Sequence, residues 1–394
     1  MLTLVRLVGV ALQTIAGLGS SYLALLTVAT FLPRRQVLRS TPIKPRFAVI
    51  VPAHNEERAI PETLKSLERL DYPPELYSVF VVADNCLDAT VGVARRYRCT
   101  VWERIAPGHK AKGHALGWAF EQVPEEYDAV VVVDADTKVD PALLCSFARA
   151  YEASTALQSL HLPPPDPGVG KVASYVAAAV QNCLKPQGRQ NLGFSAGLGG
   201  TGMCIPRDLL EEVPWQRFGL AEDAEYHADL VLAGRKTWFV PEARVEPTGS
   251  PSLRGLQTQR LRWERGRVET LRRFAGALLA RSLRERDVVS FDAFMSIAVP
   301  PLSLTVSAST GCVILGVMRR STTSIVLGTL GLVAVACATL RSLWMVRAPA
   351  KIYAYSLFFP LFVVWRTYIS VRSLLRGAGG DWVRTERPGE LGSN

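Results

Sequence analysis

Apolar positions along the chain fall into two patterns, and each predicts a different kind of element. Residues 4–32 form an apolar run in which Arg6 is the one charge. At about 1.5 Å per residue such a run is long enough to cross a bilayer as a single helix. It is too long for the apolar core of a signal peptide and has no A-x-A cleavage pattern, so it predicts a retained anchor. Three further runs occupy residues 291–318, 322–346 and 353–375. The first two predict spanning helices. The third carries Trp365, Arg366, Tyr368 and Arg372 in one half, which fits either a span or an amphipathic segment lying in the interface.

In the middle of the chain, short continuous apolar stretches alternate with helical spacing. "RFAVIVPA", "YSVFVVAD" and "AVVVVDAD" read as strands buried on both faces. "AIPETLKSLERL" places Ile60, Leu64, Leu67 and Leu70 at helical intervals. "DATVGVARRY" opens a helix with Asp88 as N-cap, and Asp140-Pro141 reads as an N-cap and first-turn pair. This alternation predicts an α/β domain with a mostly parallel sheet and ligands outside the carboxyl ends of its strands. "HLPPPDPGVG" reads as a loop, and no internal repeat is evident.

Charge changes the picture of what the chain meets. The formal charge is +10, yet residues 46–246 hold 20 Lys and Arg against 27 Asp and Glu, a net of −7 that leaves +17 elsewhere. Ten arginines lie between Arg254 and Arg286, and the other basic residues flank apolar runs. Such placement suits a cytoplasmic membrane face, and no zinc-finger or aromatic-interleaved motif accompanies it, so the expected partner is the bilayer and not nucleic acid. Arg34, Arg35, Arg39, Lys44 and Arg46 follow the first run, which places the N-terminus outside and the middle of the chain in the cytoplasm. Seven scattered cysteines without a C-x-x-C pair predict reduced thiols.

Candidate chemistry gathers at the strand ends. Asp84 closes the second predicted strand, and Asp134 and Asp136 close the third. In an extended segment, i and i+2 point the same way, so Asp134 and Asp136 would crowd two anions unless a cation compensates. Hard carboxylate oxygens suit Mg²⁺ or Mn²⁺. Taken singly, each of these aspartates is equally well explained as a cap or turn residue.

Read in order, "VPAHNEE", "VVADNCLDAT", "KAKGHALGWA", "VVVVDADT", "GGTGMCI", "LAEDAEYHADLVLAGRK" and "QTQRLRW" resemble family 2 glycosyltransferases. The resemblance is to the membrane-integrated branch containing cellulose, hyaluronan and poly-N-acetylglucosamine synthases. It extends to "DWVRTER" in the tail, which looks like that branch's terminal W-x-x-T-x-R. It implies a GT-A-like (Rossmann-type) catalytic domain between N- and C-terminal transmembrane helices. The expected divisions are an anchor and basic flank (1–45), the cytoplasmic catalytic domain (46–252), a basic interface segment (253–290), C-terminal apolar helices (291–376) and a polar tail (377–394).

The resemblance also implies roles. Pro52, Ala53, Asn55 and Glu56 match the first donor loop, with Glu56 at the uridine or ribose, and Asp84 matches the base-contacting aspartate. Lys112 and Gly113 match a lysine-glycine pair near the nucleotide. Asp134 and Asp136 match a D-x-D motif, nucleotide side and metal ligand respectively. Gly200, Thr201 and Gly202 match the acceptor loop, and Glu222-Asp223 an E-D pair with Asp223 as general base. Gln259, Arg262 and Trp263 match Q-x-x-R-W, with Arg262 on the diphosphate and Trp263 beneath the acceptor sugar. The remaining arginines of that stretch, Arg260, Arg265, Arg267, Arg272 and Arg273, are expected to face the membrane.

The function so implied is inverting transfer from a nucleotide sugar, taken as a UDP-sugar, to a lipid-linked or polysaccharide acceptor, one sugar at a time, with Mg²⁺ or Mn²⁺ as cofactor. The chain would be a multi-pass protein of the cell membrane. A processive synthase, helped by self-association or an export partner, is the first alternative. A non-catalytic nucleotide-sugar sensor or scaffold is the second, disfavoured because pure binding needs no base such as Asp223.

Overall fold

The computed structural model describes residues 2–35, 44–109, 111–166, 169–248 and 253–356. Among these, one compact unit is drawn from residues 35–164 and 194–293 and the other from 2–34, 165–193 and 294–356.

The first unit is built on eight strands: β1 (Phe47–Ala53), β2 (Tyr77–Asp84), β3 (Thr100–Arg104), β4 (Ala129–Val132), β5 (Thr137–Val139), β6 (Thr155–His161), β7 (Met203–Pro206) and β8 (Lys236–Pro247). Their order is β3-β2-β1-β4-β7-β6-β8-β5. β1 runs parallel to β2 and β4, β2 to β3, and β6 to β8. β7 is antiparallel to β4 and β6, and β5 to β8. The sheet is therefore mixed but mostly parallel, as expected.

Its continuous apolar strands are explained by cover on both faces. Phe47, Val49 and Val51 of β1 pack with Leu64 and Leu67 of α2 (Ile60–Leu67) and with Leu143, Leu144 and Phe147 of α5 (Leu143–Ala150). The alternate residues Ala48 and Ile50 pack with Ala115, Leu116 and Ala119 of α4 (Lys112–Gln122) and with Tyr226 and Leu230 of α9 (Glu222–Leu232). Each large aliphatic side chain so buried contributes roughly 1.5–3 kcal/mol. The unit also holds α3 (Thr90–Ala94), α8 (Arg207–Glu212) and α10 (Leu253–Glu285).

Two helix starts differ from expectation by a residue or two. Asp88 Oδ1 accepts from the Thr90 amide at 3.0 Å, and Asp140 Oδ1 from the Ala142 amide at 2.9 Å. Each aspartate closes a turn on the residue two ahead, and the helix begins after that turn.

The second unit contains α1 (Leu2–Ala29), α6 (Val169–Ala179), α7 (Lys185–Asn191), α12 (Leu302–Arg319), α13 (Thr322–Met345) and α14 (Ala350–Ser356). A π-helical turn, Val180–Leu184, joins α6 to α7. Residues 6–29, α12 and α13 are each long and apolar enough to cross a membrane. The run at 291–318 is not one helix. Before α12 it forms α11 (Val288–Ala298), and the break falls at Pro300-Pro301, where two successive residues lack an amide donor. Residues 357–375 and the tail with Trp382 lie outside the described residues.

Residues 165–193, which the sequence groups with the α/β domain, pack in this second unit. Asn191 Nδ2 donates to the carbonyl of Ala29 at 3.0 Å, and Arg341 donates to the hydroxyl and carbonyl of Thr30 at 2.9 and 2.8 Å. These donors add to the bonds at the end of α1, where helix carbonyls lose their partners. Gln187, Arg189, Gln190 and Asn191 are all buried. A helix whose buried face is polar carries no apolar stripe to betray its partner.

Candidate active site

The sheet gathers the candidate residues along one edge. β1, β2, β3, β4 and β6 all end there, because β7 runs opposite to both β4 and β6. The segment preceding β7, which includes Gly200–Gly202, therefore arrives at that same edge.

The loop after β1 is zipped to the loop after β2. Asn55 Oδ1 accepts from the Leu87 amide at 2.7 Å, and the amides of Glu56 and Glu57 donate to Thr90 Oγ1 and Asp88 Oδ2 at 2.8 and 3.1 Å. Asn55 and Asn85 both adopt positive φ, 55° and 50°, a conformation that asparagine tolerates better than most residues. The Cys86 thiol donates to the carbonyl of Ala53 beside Pro52 at 3.4 Å, and His54 Nδ1 lies 2.7 Å from the carbonyl of Asp84. Asp84 is buried and ion-paired with Arg104 at the end of β3, at 2.5 Å.

Asp134 and Asp136 are not in an extended segment. β4 ends at Val132, and the Thr137 amide donates to the carbonyl of Asp134 at 3.0 Å, so a turn carries both aspartates and the two-residue alternation does not apply to them. The carbonyl of Asp136 accepts from the amide and hydroxyl of Thr248 at 2.7 and 2.9 Å. The Asp134 amide donates to Thr201 Oγ1 at 3.1 Å, tying this turn to the glycine loop.

At the centre stands Lys112, the first residue of α4. Its ammonium lies 2.5 Å from Asp134 Oδ1, donates to the carbonyl of Gly200 at 2.5 Å and lies 3.8 Å from Glu222 Oε1. Asp223 adjoins it: a Cβ on Gly200 would come 3.2 Å from Asp223 Oδ2 and 3.6 Å from Lys112 Nζ. Gly200 also needs its freedom for φ of +73°. Gly113, next along α4, leaves no room for a side chain, since a Cβ there would meet the carbonyl of Arg217 and approach Phe218 Cα to 3.0 Å. Gln158 Oε1 accepts from the Gly199 amide at 2.8 Å, and its Nε2 donates to the carbonyl of Thr201 at 2.9 Å.

Glu222 and Asp223 open α9. Burial pushes Glu222 up to about 7 against the pull of the Lys112 ammonium, with Asp223 adding to the rise. Burial likewise raises Asp223, while Lys112 and the Ala224 amide oppose it. Burial alone would lower Lys112, but Asp134, Glu222 and Asp223 outweigh it and hold the ammonium charged. His161, at the end of β6, is lowered by burial although Asp134 and Asp136 pull the other way.

This donor set fits a divalent cation. Asp134 and Asp223 lie beside the Lys112 ammonium and Asp136 shares the turn of Asp134, so hard carboxylate oxygens gather at this edge. Among the described residues no three His, Cys, Asp or Glu form a metal cage. Mg²⁺ and Mn²⁺ need none when phosphate oxygens complete the shell.

Helix α10 docks on α9 along a four-residue stripe. Gly266 lies against Leu220 and Ala221, immediately before Glu222, and Thr270, Phe274 and Leu278 are buried after it. Arg262 is one turn before Gly266 on this stripe, so the stripe's line leads towards the start of α9. Gln259 is half-buried, and Trp263 is 52% exposed. Some arginines of this basic stretch also make contacts within the α/β unit. Arg273 reaches the buried Glu225 of α9 at 2.9 Å, Arg281 donates to the last carbonyls of α9 at Val231 and Leu232, and Arg267 pairs with Glu264 at 3.2 Å. Buried anions and open helix-end carbonyls each draw a cation. Arg272 is exposed.

Sequence reasoning missed Arg104 and His161. Each ends a strand at the same edge as Asp84 and Asp134, but "TVWER" and "TALQSLH" lack the long aliphatic run that marks β1, β2 and β4.

Residues 45–266 match the family model "Glycosyltransferase like family 2". The probable glycosyltransferase YdaM of Bacillus subtilis is 24% identical over 64% of this chain and 61% of its own. The beta-monoglucosyldiacylglycerol synthase of Synechocystis sp. is 27% identical over 58% of this chain and 49% of its own. The chain thus spans about half to three-fifths of these relatives. Among solved structures, the mannosyltransferase PcManGT of Pyrobaculum calidifontis, in complex with GDP-Man and Mn2+, superimposes with a TM-score of 0.56 at 18% identity, covering 86% of this chain and 99% of that one. That likeness shows a shared GT-A-like fold, and the family match, covering more than half of the chain, shows that it belongs to glycosyltransferase-like family 2.

Proposed function

We propose that the chain is a membrane-bound inverting glycosyltransferase that moves one sugar at a time from a UDP-sugar to a lipid-linked or polysaccharide acceptor. The observation that carries this reading is the Lys112 cluster, where Asp134, Gly200 and Glu222 meet one ammonium and Asp223 adjoins them.

Pro52, Ala53, Asn55, Glu56 and Asp84 hold the nucleoside. Lys112, Gly113, Asp134 and Arg262 face the diphosphate, guanidinium forks being well matched to phosphate oxygens. Gly200, Thr201, Gly202, Glu222, Gln259 and Trp263 shape the acceptor side, and Trp263 offers an exposed indole for a sugar's C–H face. Asp223 takes the proton from the acceptor hydroxyl as that oxygen attacks the anomeric carbon. The bond to the diphosphate breaks on the opposite face, so configuration inverts and one carboxylate suffices. Asp136, with Asp134 beside it, would hold Mg²⁺ or Mn²⁺, which when bound would supply Lewis-acid stabilisation to the departing diphosphate. The Mn2+ named for PcManGT supports that assignment.

A lipid-linked acceptor is supported by the relative named beta-monoglucosyldiacylglycerol synthase and by three helices apolar and long enough to cross a membrane. The α/β unit then works on the cytoplasmic face of the cell membrane, with α1, α12 and α13 as the anchor. The test is a panel of nucleotide sugars given to purified protein with Mg²⁺ or Mn²⁺, followed by mass spectrometry of the product. Products one sugar larger than the acceptor support single transfer. Long chains made by the protein alone would replace it with a processive synthase.

A further inference from the structure

The proposed function gives Lys112 to the diphosphate, and its contacts give it a second part. Three groups surround the ammonium: Asp134 Oδ1 at 2.5 Å, the carbonyl of Gly200 at 2.5 Å and Glu222 Oε1 at 3.8 Å. Two of the three belong to the acceptor side as assigned above. We propose that Lys112 is a positioning residue for the acceptor side, fastening the Gly199–Gly202 loop and the Glu222-Asp223 turn to the donor-side Asp134.

The rest of the loop's anchoring shows why one cation matters there. Gly199 is held by Gln158, Thr201 by Gln158 and by the Asp134 amide, and Gly202 donates its amide to the carbonyl of Val132 at 2.8 Å. Those bonds fasten the loop to β4 and β6 within the sheet. Among the described contacts, the bond from Lys112 to the Gly200 carbonyl is the one that joins this loop to α4. A cation also suits the electrostatics, because Asp223 Oδ2 lies close against Gly200 and the ammonium screens it from Asp134. The side chain is 23% exposed, so solvent does not dilute the pairing as it would at a surface.

This inference rests on the acceptor-side assignment of the proposed function, but its test needs no turnover. Hydrogen exchange of the full chain in detergent is compared for wild type, Lys112→Met and Lys112→Arg, reading peptides that cover residues 196–204 and 47–53. Binding of UDP with Mn²⁺ is titrated in parallel. The expected result for Lys112→Met is exchange in 196–204 faster by about tenfold or more with no change in 47–53, whether or not UDP affinity falls with the loss of a cation beside the diphosphate. Lys112→Arg, which keeps a cation of similar reach, should restore most of the protection.

Unchanged exchange at 196–204 in Lys112→Met would overturn the proposal, whatever happens to UDP. Loss of protection in 47–53 would mean that the variant has not folded, and Lys112→Gln then takes its place, with the same loop acceleration required. Should the wild type show the expected loop behaviour and yet transfer no sugar, the transferase reading fails and the tether stands.

Discussion

Single residues set the pH at which this site can act. Glu222 is pushed up to about 7 by burial, and its neighbour Asp223 is raised for the same reason. A base must be ionised to accept a proton and burial raises Asp223, so transfer is expected to rise with pH above the ordinary carboxylate range and then to level. A profile of kcat/KM that is flat from acid to alkaline would contradict this. The stability contribution runs the other way. The folded carboxyl keeps a proton that the unfolded one releases above its ordinary 4.5, so stability from Glu222 falls as pH climbs from there to about 7. Backbone geometry gives a second residue-scale test. Gly202 has φ of +60°, and a Cβ there would collide with Ser159 Oγ, so Gly202→Ala should cost roughly 1–3 kcal/mol, seen as a lower midpoint in thermal unfolding. At this scale the aspartates were legible because a carboxylate closing a run such as "VVVV" is conspicuous. The partners Arg104 and His161 were not, since their strands lack a long aliphatic run, and nothing in the sequence says that Lys112 reaches across to Gly200.

The helix α10 shows how an element can be read half correctly. Ten arginines in its neighbourhood suggested a membrane-facing surface, but a count of charges does not say which carboxylates lie opposite. Arg273 pairs with Glu225, and Arg281 caps α9, so part of the basic stretch is a docking face. Removing Arg273 takes from Glu225, 2% exposed, the cation it pairs with directly and leaves it the weaker pull of Arg217. Arg273→Gln should therefore lower transfer about tenfold, while Arg272→Gln, outside that ion pair, should leave it within about twofold; equal effects would argue against docking through Arg273. Further along the stripe, Arg262→Ala and Trp263→Ala should each reduce transfer by about a hundredfold or more, as expected for groups that meet developing charge or hold a substrate. Arg265→Ala should do much less, and all three variants should remain in the membrane fraction.

The whole molecule combines an α/β unit that was legible with a helical unit that was legible only in part. Buried parallel strands announce themselves by composition, and β1, β2 and β4 lie within the predicted stretches. The antiparallel strands β5 and β7 gave no comparable signal. Apolar length revealed α1 and α13, yet the prolines at 300 and 301 divide a run that hydropathy alone joins, and the buried polar helix at 185–191 belongs to the helical unit without an apolar stripe. Membrane integration is tested on the full chain by alkaline carbonate extraction, where the protein should stay in the pellet; release into the supernatant would remove the anchor from the account. The central claim is that Asp223 is the base of a sugar transfer, and it is tested most directly by comparing wild type with Asp223→Asn. Donor binding and donor-sugar transfer are measured on the same preparations with Mn²⁺. The account predicts binding within about threefold and transfer reduced by at least about a hundredfold; binding retained with transfer undiminished would contradict it.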